Sequence, residues 1–336
     1  MNAVLIIDKP AGLTSHDVVN RVRRILHERS VGHLGTLDPL ATGVLPLVSG
    51  NLTRLAQFYT SSEKTYEGTI RFGFATDTYD SDGEPTSPAR AVNLSLEQVR
   101  ELASRFQGVL EQMPPPFSAK KIQGVPAYKL ARKHAEVALK PVKVEIKQFE
   151  ITRVDDGRTP GDAHLAPDAT VRAAEQCTAG SVATFRARVA SGTYMRSVAQ
   201  DMGQMAGCGA HLESLRRTAA GEFELADAYS LEELDAAFKA GNAEDLFIHP
   251  RKLLPQFPSV TANEEMAARI RTGRPVNLPE LSQARLVKVF AGQRELIAIA
   301  TRVAGTLFHA RIVFAGAAGA AIGAVTGSQS ERVKCF

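Results

Sequence analysis

The sequence predicts an α/β protein, its alternating strands and helices leaving parallel and antiparallel sheets both open: a large domain of interleaved elements over residues 1–250, then a small β-rich domain at 255–315. Three observations carry this. Strand-like alternation and helical stripes succeed one another through the first 250 residues. Pro250, Pro255 and Pro258 fall close together where that pattern changes. Beyond them Leu286–Phe290, Leu296–Ala300 and Leu307–Phe314 are short β candidates joined by Gly-containing turns, enough for a small barrel. With 336 residues, 44% hydrophobic and 23% charged, the chain has room for about two folded domains and lacks the composition of a disordered one.

Val4–Ile7 reads as a short buried strand, and Thr14 with Asp17 three residues on supplies the start of a helix. Val18, Val19, Val22, Ile25 and Leu26 give that helix an apolar stripe, leaving Arg21, Arg23, Arg24 and Arg29 largely on its solvated side. Residues 32–50 contain Gly32, Gly35, Gly43, Gly50, Pro39 and Pro46, too many breakers for a regular element, so a structured loop anchored by Leu37, Leu40, Val44 and Leu45 is expected. From Lys64 to Phe74, Tyr66, Ile70, Phe72 and Phe74 share one parity, which predicts a half-buried strand with Tyr66 on its apolar face. Ser95 and Gln98 cap a second helix with Val99, Leu102, Ala103 and Phe106 inward and Gly108 at its end. Pro114–Pro116 then breaks the chain. Val142–Ile151 and Val182–Val189 read as strands around a Pro/Gly/Asp-rich surface excursion at 155–168. After Tyr194 a helix turns Val198, Met202 and Met205 inward and ends at Gly207–Gly209. The Gly/Ala-rich tail, 316–336, is predicted to be partly disordered.

Forty Lys and Arg against 36 Asp and Glu leave a formal charge of only +4, but the distribution is uneven. Lys120, Lys121, Lys129, Arg132, Lys133, Lys140, Lys143 and Lys147, with Tyr128 and His134 among them, form a basic stretch that a polyanion could occupy. Cys177, Cys208 and Cys335 show neither CxxC nor Cys/His zinc spacing, which argues against a disulfide scaffold or structural metal and for a reducing cytoplasm. Val4–Ile7 is too short for a signal sequence, and no stretch has the length of a membrane span. Phosphate-loop, dinucleotide, zinc-protease and serine-hydrolase motifs are missing, which disfavours the commonest cofactor enzymes. What stands out is the loop Gly32–Gly43, in which Asp38 is the only acid. On residue type alone it is either a turn residue bonding its own backbone or a pocket carboxylate.

That loop, with Asp8–Ser15 before it, strongly resembles the bacterial TruB family of tRNA pseudouridine-55 synthases. Further blocks follow in the family's order: Lys64–Tyr66, Thr76–Gly83, Met113–Ala119, Ser191–Ser197, Gly207–Leu212 and Leu215–Arg217. The resemblance covers roughly residues 3 to 250. More weakly, the part beyond Pro255 resembles a PUA-like RNA-binding domain.

The resemblance implies a pseudouridine synthase fold with a mixed, largely antiparallel central sheet flanked by helices. It implies isomerisation of uridine 55 in the T-loop of tRNA, the base being flipped out, detached at N1, rotated and rejoined through C5. Such a reaction has no net redox change and adds no group, so no cofactor or metal is expected. By match to the family's positions, Asp38 is the nucleophile, at C1′, at C6 or toward a glycal, and Arg196 pairs with it. Tyr66 stacks on the base and is a candidate for proton transfer, and Tyr194 and Leu215 line the pocket. His33 fills the place the base leaves, and Lys9 and Lys64 are candidates for structural or phosphate contacts. The expected partner is the tRNA T-arm, met by the basic stretch at about 112–147, with the chain acting as a monomer without a protein partner or membrane. Two other readings stay open at this point: a non-catalytic RNA-binding or tRNA-folding protein, and a guide-RNA-dependent pseudouridine synthase.

Overall fold

The computed structural model describes residues 1–118, 121–122, 125–126, 139–155 and 180–314. The excursion beyond Asp155, Cys177, Cys335, the tail from 315, and the side chains of Lys120, Lys121, Tyr128, Lys129, Arg132, Lys133 and His134 lie outside the described residues.

In chain order the strands of the first part are β1 (Val4–Lys9), β2 (Val31–His33), β3 (Thr42–Ser49), β4 (Lys64–Phe72), β5 (Gly108–Gln112), β6 (Lys121–Ile122), β7 (Val125–Pro126), β8 (Val142–Asp155), β9 (Val182–Val189), β10 (Ala210–Ala220), β11 (Phe223–Glu224) and β12 (Ala228–Tyr229). The helices are α1 (Ser15–Ile25), α2 (Ala56–Tyr59), α3 (Leu96–Ser104), α4 (Met195–Met205) and α5 (Leu231–Lys239). One sheet runs β12-β1-β3-β10-β4-β9-β8-β5, with β2 added on β3 and β11 on β10. Only β1/β12 and β3/β10 pair in parallel, so the sheet is mixed and largely antiparallel. A second sheet follows, formed by β13 (Ser259–Ala262), β14 (Val276–Asn277), β15 (Leu286–Ala291), β16 (Glu295–Ala304) and β17 (Leu307–Val313), with α6 (Glu264–Arg271) against it.

Local chemistry sets the helix starts as expected. The Thr14 hydroxyl accepts from Asp17 N–H while the Asp17 carboxylate accepts from Thr14 N–H, and Ser95 and Gln98 do the same for α3. The stripe of α1 is buried at Val18, Val19 and Val22, and Arg21 and Arg24 are exposed.

Both faces of β1 and β3 are covered, which explains their nearly unbroken apolar runs. Leu5, Ile7, Leu45 and Leu47 pack in a core with Val18, Val22, Val99, Val198 and Met202 of the helices. Val4, Ile6, Val44 and Val48 instead join Leu253, Leu254, Phe290, Ile299, Ile312 and Phe314, so the second sheet closes the back of the first. The junction also contains a polar network. The Glu222 carboxylate accepts from Tyr59 Oη at 2.6 Å and Leu254 N–H at 2.8 Å, and buried Lys288 donates to the Leu253 carbonyl at 2.6 Å.

Three local expectations need correction. The stretch 32–50 is not a loop throughout, because Thr42–Ser49 forms the eight-residue β3. Pro46 is tolerated there because its carbonyl accepts from Leu34 N–H, so its nitrogen faces the same side, just past the end of β2, where no strand asks for a donor. Gly108 begins β5 rather than ending α3, which stops at Ser104. Met205, in the last turn of α4, is 44% exposed instead of turned inward. Periodicity also missed β13, β14 and α6, elements too short to show it.

Candidate active site

Asp38 lies on the loop between β2 and β3, and Arg196 lies one residue into α4. The fold brings them together: Arg196 Nε stands 2.9 Å from Asp38 Oδ2. The same nitrogen is 3.6 Å from Oδ2 of Asp80, whose side chain is only 7% exposed. Arg196 Nη1 and Nη2 donate to the carbonyls of Thr78 and Phe117 at 3.2 and 3.0 Å. One buried guanidinium therefore holds two loops and faces two carboxylates, of which Asp38 is the more open, its side chain 39% exposed. Nε makes no aligned hydrogen bond, so its attraction for both acids is that of an ion pair.

Asp80 was not among the expected site residues, although its block was. Its carboxyl is pushed up by burial and, less strongly, by the charges of Asp38 and Asp82, against the pull of the Thr78 hydroxyl bond and Arg196. Thr78 Oγ1 donates to Asp80 Oδ1 at 2.5 Å. The preceding Tyr79 sits at φ 66°, a left-handed conformation, and is tied to β10 through its carbonyl, which accepts from Leu212 N–H. Only this long-range pairing reveals which acid of the block Thr76–Gly83 faces Arg196.

Gln112 was also missed and carried no signal in the sequence. Fully buried at the end of β5, it accepts from Tyr194 N–H at 2.8 Å and donates to the Tyr194 carbonyl at 3.0 Å. Ser197 Oγ donates to the Met113 carbonyl at 2.7 Å. The start of α4 is thus clamped to the strip that carries Pro114–Pro116. Burial, with the charge of Asp38 adding to it, pushes the Tyr194 phenol up.

The Asp38 loop rests on buried groups. Lys9 donates to the carbonyls of Pro10, Leu13 and Pro39 at 2.8, 2.6 and 3.1 Å. It is 0% exposed, so of the two roles expected for it a phosphate contact is ruled out by geometry and loop support remains. Burial drives its ammonium down to about 8, opposed by Asp38. On the other flank Arg217 donates to the carbonyls of Gly35, Thr36 and Val44, and Ser15 Oγ bonds both the N–H and the carbonyl of Leu37. Lys64 is half-buried, donates to the Ser62 carbonyl at 2.5 Å, and is driven down to about 8 by burial and by Arg217.

Tyr66 is buried in β4, on the face expected, opposite Arg217 of β10. Leu215 of β10 is half-buried and packs against the helix-side core. His33 ends β2, half-buried, with Nδ1 buried and unpartnered. Burial, then the charges of Arg217 and His16, push its imidazole down to about 4. It is neutral near pH 7 in the fold and charged below its ordinary 6.5 when unfolded. The unfolded chain therefore binds more protons between about 4 and 6.5, and the His33 contribution to stability is lost as pH falls through that window. Denaturant titrations across it should show a shallower acid decline for His33→Asn than for the parent chain, and equal slopes would contradict the assignment. Among the described residues no three His, Cys, Asp or Glu side chains stand together to hold a metal ion.

Residues 23–195 match the family model described as TruB family pseudouridylate synthase, N terminal domain, and residues 196–254 match the tRNA pseudouridylate synthase B C-terminal domain. The boundary between the two models falls inside α4, between the first residue of the helix and Arg196. The tRNA pseudouridine synthase B of Solibacter usitatus is 46% identical over 317 residues, covering 93% of this chain and 100% of that protein. The corresponding proteins of Geobacter sulfurreducens and Aquifex aeolicus are 38% and 36% identical, covering 88% and 93% of this chain and 89% and 100% of theirs. A solved Cbf5-Nop10-Gar1 complex has the same fold, with TM-score 0.64 at 22% identity over 93% of this chain and 85% of that one. An aspartate loop and a helix-borne arginine meeting on this mixed sheet, in a chain with these relatives, define a pseudouridine synthase. The chain belongs to the TruB family.

Proposed function

We propose that the chain isomerises uridine 55 in the T-loop of tRNA to pseudouridine, with Asp38 as nucleophile. The observation that carries this reading is the Asp38–Arg196–Asp80 arrangement, an open carboxylate and a closed one on a single buried cation. Names of relatives that cover nearly all of the chain point to the same substrate and reaction.

In the reaction the N1–C1′ bond of the uridine breaks, the base turns, a C5–C1′ bond forms, C5 gives up its proton and N1 gains one. Atoms and electrons balance within the nucleotide, so no cofactor or metal is called for. Addition of Asp38 to C1′, addition to C6 and assistance to a glycal all require an anionic oxygen, which Arg196 pairs with and aims. Arg196 has N–H donors and no acceptor, so it serves as a fixed cation rather than as a base. Asp80, closed off behind Thr78, keeps that guanidinium oriented without competing for substrate. Tyr66 and Tyr194 offer ring faces for the flipped base, Leu215 an apolar wall, and Tyr66 a hydroxyl for proton transfer. Neutral His33 occupies the vacated stack, where an imidazole without charge is cheaper to desolvate. Lys64 meets a phosphate.

In this reading residues 1–250 form the catalytic unit and 255–315 a PUA-like RNA-binding unit, with the stretch 112–147 on the T-arm. The chain works in the cytoplasm as a monomer without a protein partner. Among the described residues no helix is long and apolar enough to cross a membrane. The test is tritium release from a C5-labelled uridine in a T-arm stem-loop, with purified chain and a chelator. Release is expected to proceed unchanged by the chelator. An absolute need for a divalent ion with this independently folded substrate would overturn the cofactor-free mechanism.

A further inference from the structure

We infer that Arg217 and Ser15 are positioning residues for Asp38, holding the backbone on its N-terminal flank so that the carboxylate meets Arg196; this rests on the reading just given. Asp38 stands between a buried Leu37 and an exposed Pro39, and Thr36 one residue earlier is exposed. A loop with so open a tip would sample many conformations unless its base were fixed.

Arg217 fixes both legs. From β10 its Nη2 and Nη1 reach the carbonyls of Gly35 and Thr36 at 3.0 and 3.2 Å on the outgoing leg, and its Nε reaches the carbonyl of Val44 at 2.7 Å on the returning one. Ser15 adds a two-way bond: Oγ accepts from Leu37 N–H at 2.8 Å and donates to the Leu37 carbonyl at 3.0 Å. The residue next to Asp38 is thereby held at both of its backbone polar groups. Gly43 brings the two strands close enough for this. A Cβ there would stand 2.2 Å from the Arg217 carbonyl oxygen, and its φ of 98° suits glycine alone.

Two features argue against a merely architectural role. Arg217 is 1% exposed, yet no ion pair among the described residues includes it. A cation buried without a carboxylate is costly, and only bonds to carbonyls offset the cost. All three of those carbonyls belong to the loop or its returning strand, so the donors converge on the two legs that carry Asp38. Ser15, at 2% exposure, likewise spends its hydroxyl on the loop rather than on its own helix. Neither side chain is accessible to RNA, so both act through Asp38.

The experiment compares Arg217→Lys and Ser15→Ala with the parent chain in single-turnover tritium release, T-arm affinity, thermal midpoint and amide hydrogen exchange of residues 35–41. Lysine keeps the charge but puts one nitrogen in place of the three, Nε, Nη1 and Nη2, with which Arg217 reaches both legs. The expected rates are down roughly 30- to 100-fold for Arg217→Lys and about tenfold for Ser15→Ala, because small displacements of a reacting group carry losses of this order. Affinity should stay within about twofold, since neither residue touches RNA. Exchange at 35–41 should rise in both variants while β4 stays protected. A folded Arg217→Lys protein with the parent rate overturns the inference, as does an affinity loss that accounts for the whole rate loss. If Arg217→Lys does not fold, a parent-like rate for Ser15→Ala overturns it. A parent chain inactive on the stem-loop refutes the proposed function instead, and parent-like exchange at 35–41 in the variants then still overturns loop positioning.

Discussion

Asp38→Asn binds a T-arm stem-loop about as tightly as the parent chain and releases no tritium from it. The amide keeps the shape of the side chain and removes the anionic oxygen on which every route depends. The fold survives because Arg196 is not left alone: Asp80 remains 3.6 Å from Nε, and the Thr78 and Phe117 carbonyls still accept from the other nitrogens. The expected loss in rate is on the order of 10⁴-fold or more, about 5.5 kcal/mol of transition-state stabilisation. Affinity is spread over many phosphate and stacking contacts, so removing one half-exposed carboxylate beside a polyanion costs little binding. Single-turnover release beside a binding titration checks the separation. Parent-like turnover would remove Asp38 from the mechanism.

Arg196→Met loses both activity and stability. With the guanidinium gone, Asp38 has no cation at 2.9 Å, two carbonyls lose their donors, and the buried Asp80 is left uncompensated. Breaking a buried pair in this way costs about 3–5 kcal/mol, and the rate should fall at least ~10³-fold. Arg196→Lys should fall between, because a compact ammonium cannot meet two carboxylates and two carbonyls at once. The pH dependence has a definite sign. Burial already raises the Asp80 carboxyl, and losing the arginine raises it further. A carboxyl raised in the fold binds more protons there than when unfolded, so the stability deficit of Arg196→Met shrinks as pH falls and widens as it rises. Urea denaturation at about pH 5 and about pH 8 reads this directly, and a deficit equal at both would contradict the buried Asp80 charge.

Much of the fold was legible where local chemistry decides it. The reciprocal caps at Thr14/Asp17 and Ser95/Gln98 need only three residues of separation, and the parity that buries Tyr66 is a property of one strand. What local signals could not show was burial from outside. Pro46 and Gly43 read as breakers, yet β1 pairs with both, β10 closes the other side of Gly43, and the proline nitrogen faces just past the end of β2, where no strand asks for a donor. The site followed the same division. Asp38 and Arg196, 158 residues apart, came from the family resemblance and meet as an ion pair. Asp80 acts through the distant Arg196 side chain, and Gln112, Ser15 and Arg217 through contacts with distant backbone; three of the four sat inside resembling blocks with nothing to distinguish them from their neighbours. Lys9 shows the converse case, two readings left open until the contacts of the loop are seen. A lysine near an RNA site suggests phosphate, but this one is closed inside the loop it supports.

The most direct test of the central claim is base-resolution pseudouridine mapping of unmodified tRNA incubated with the purified chain alone, beside Asp38→Asn. The account predicts a single pseudouridine, at position 55 in the T-loop, with the parent chain and none with the variant. No pseudouridine at that position with the parent chain, or the same modification with Asp38→Asn, would contradict it.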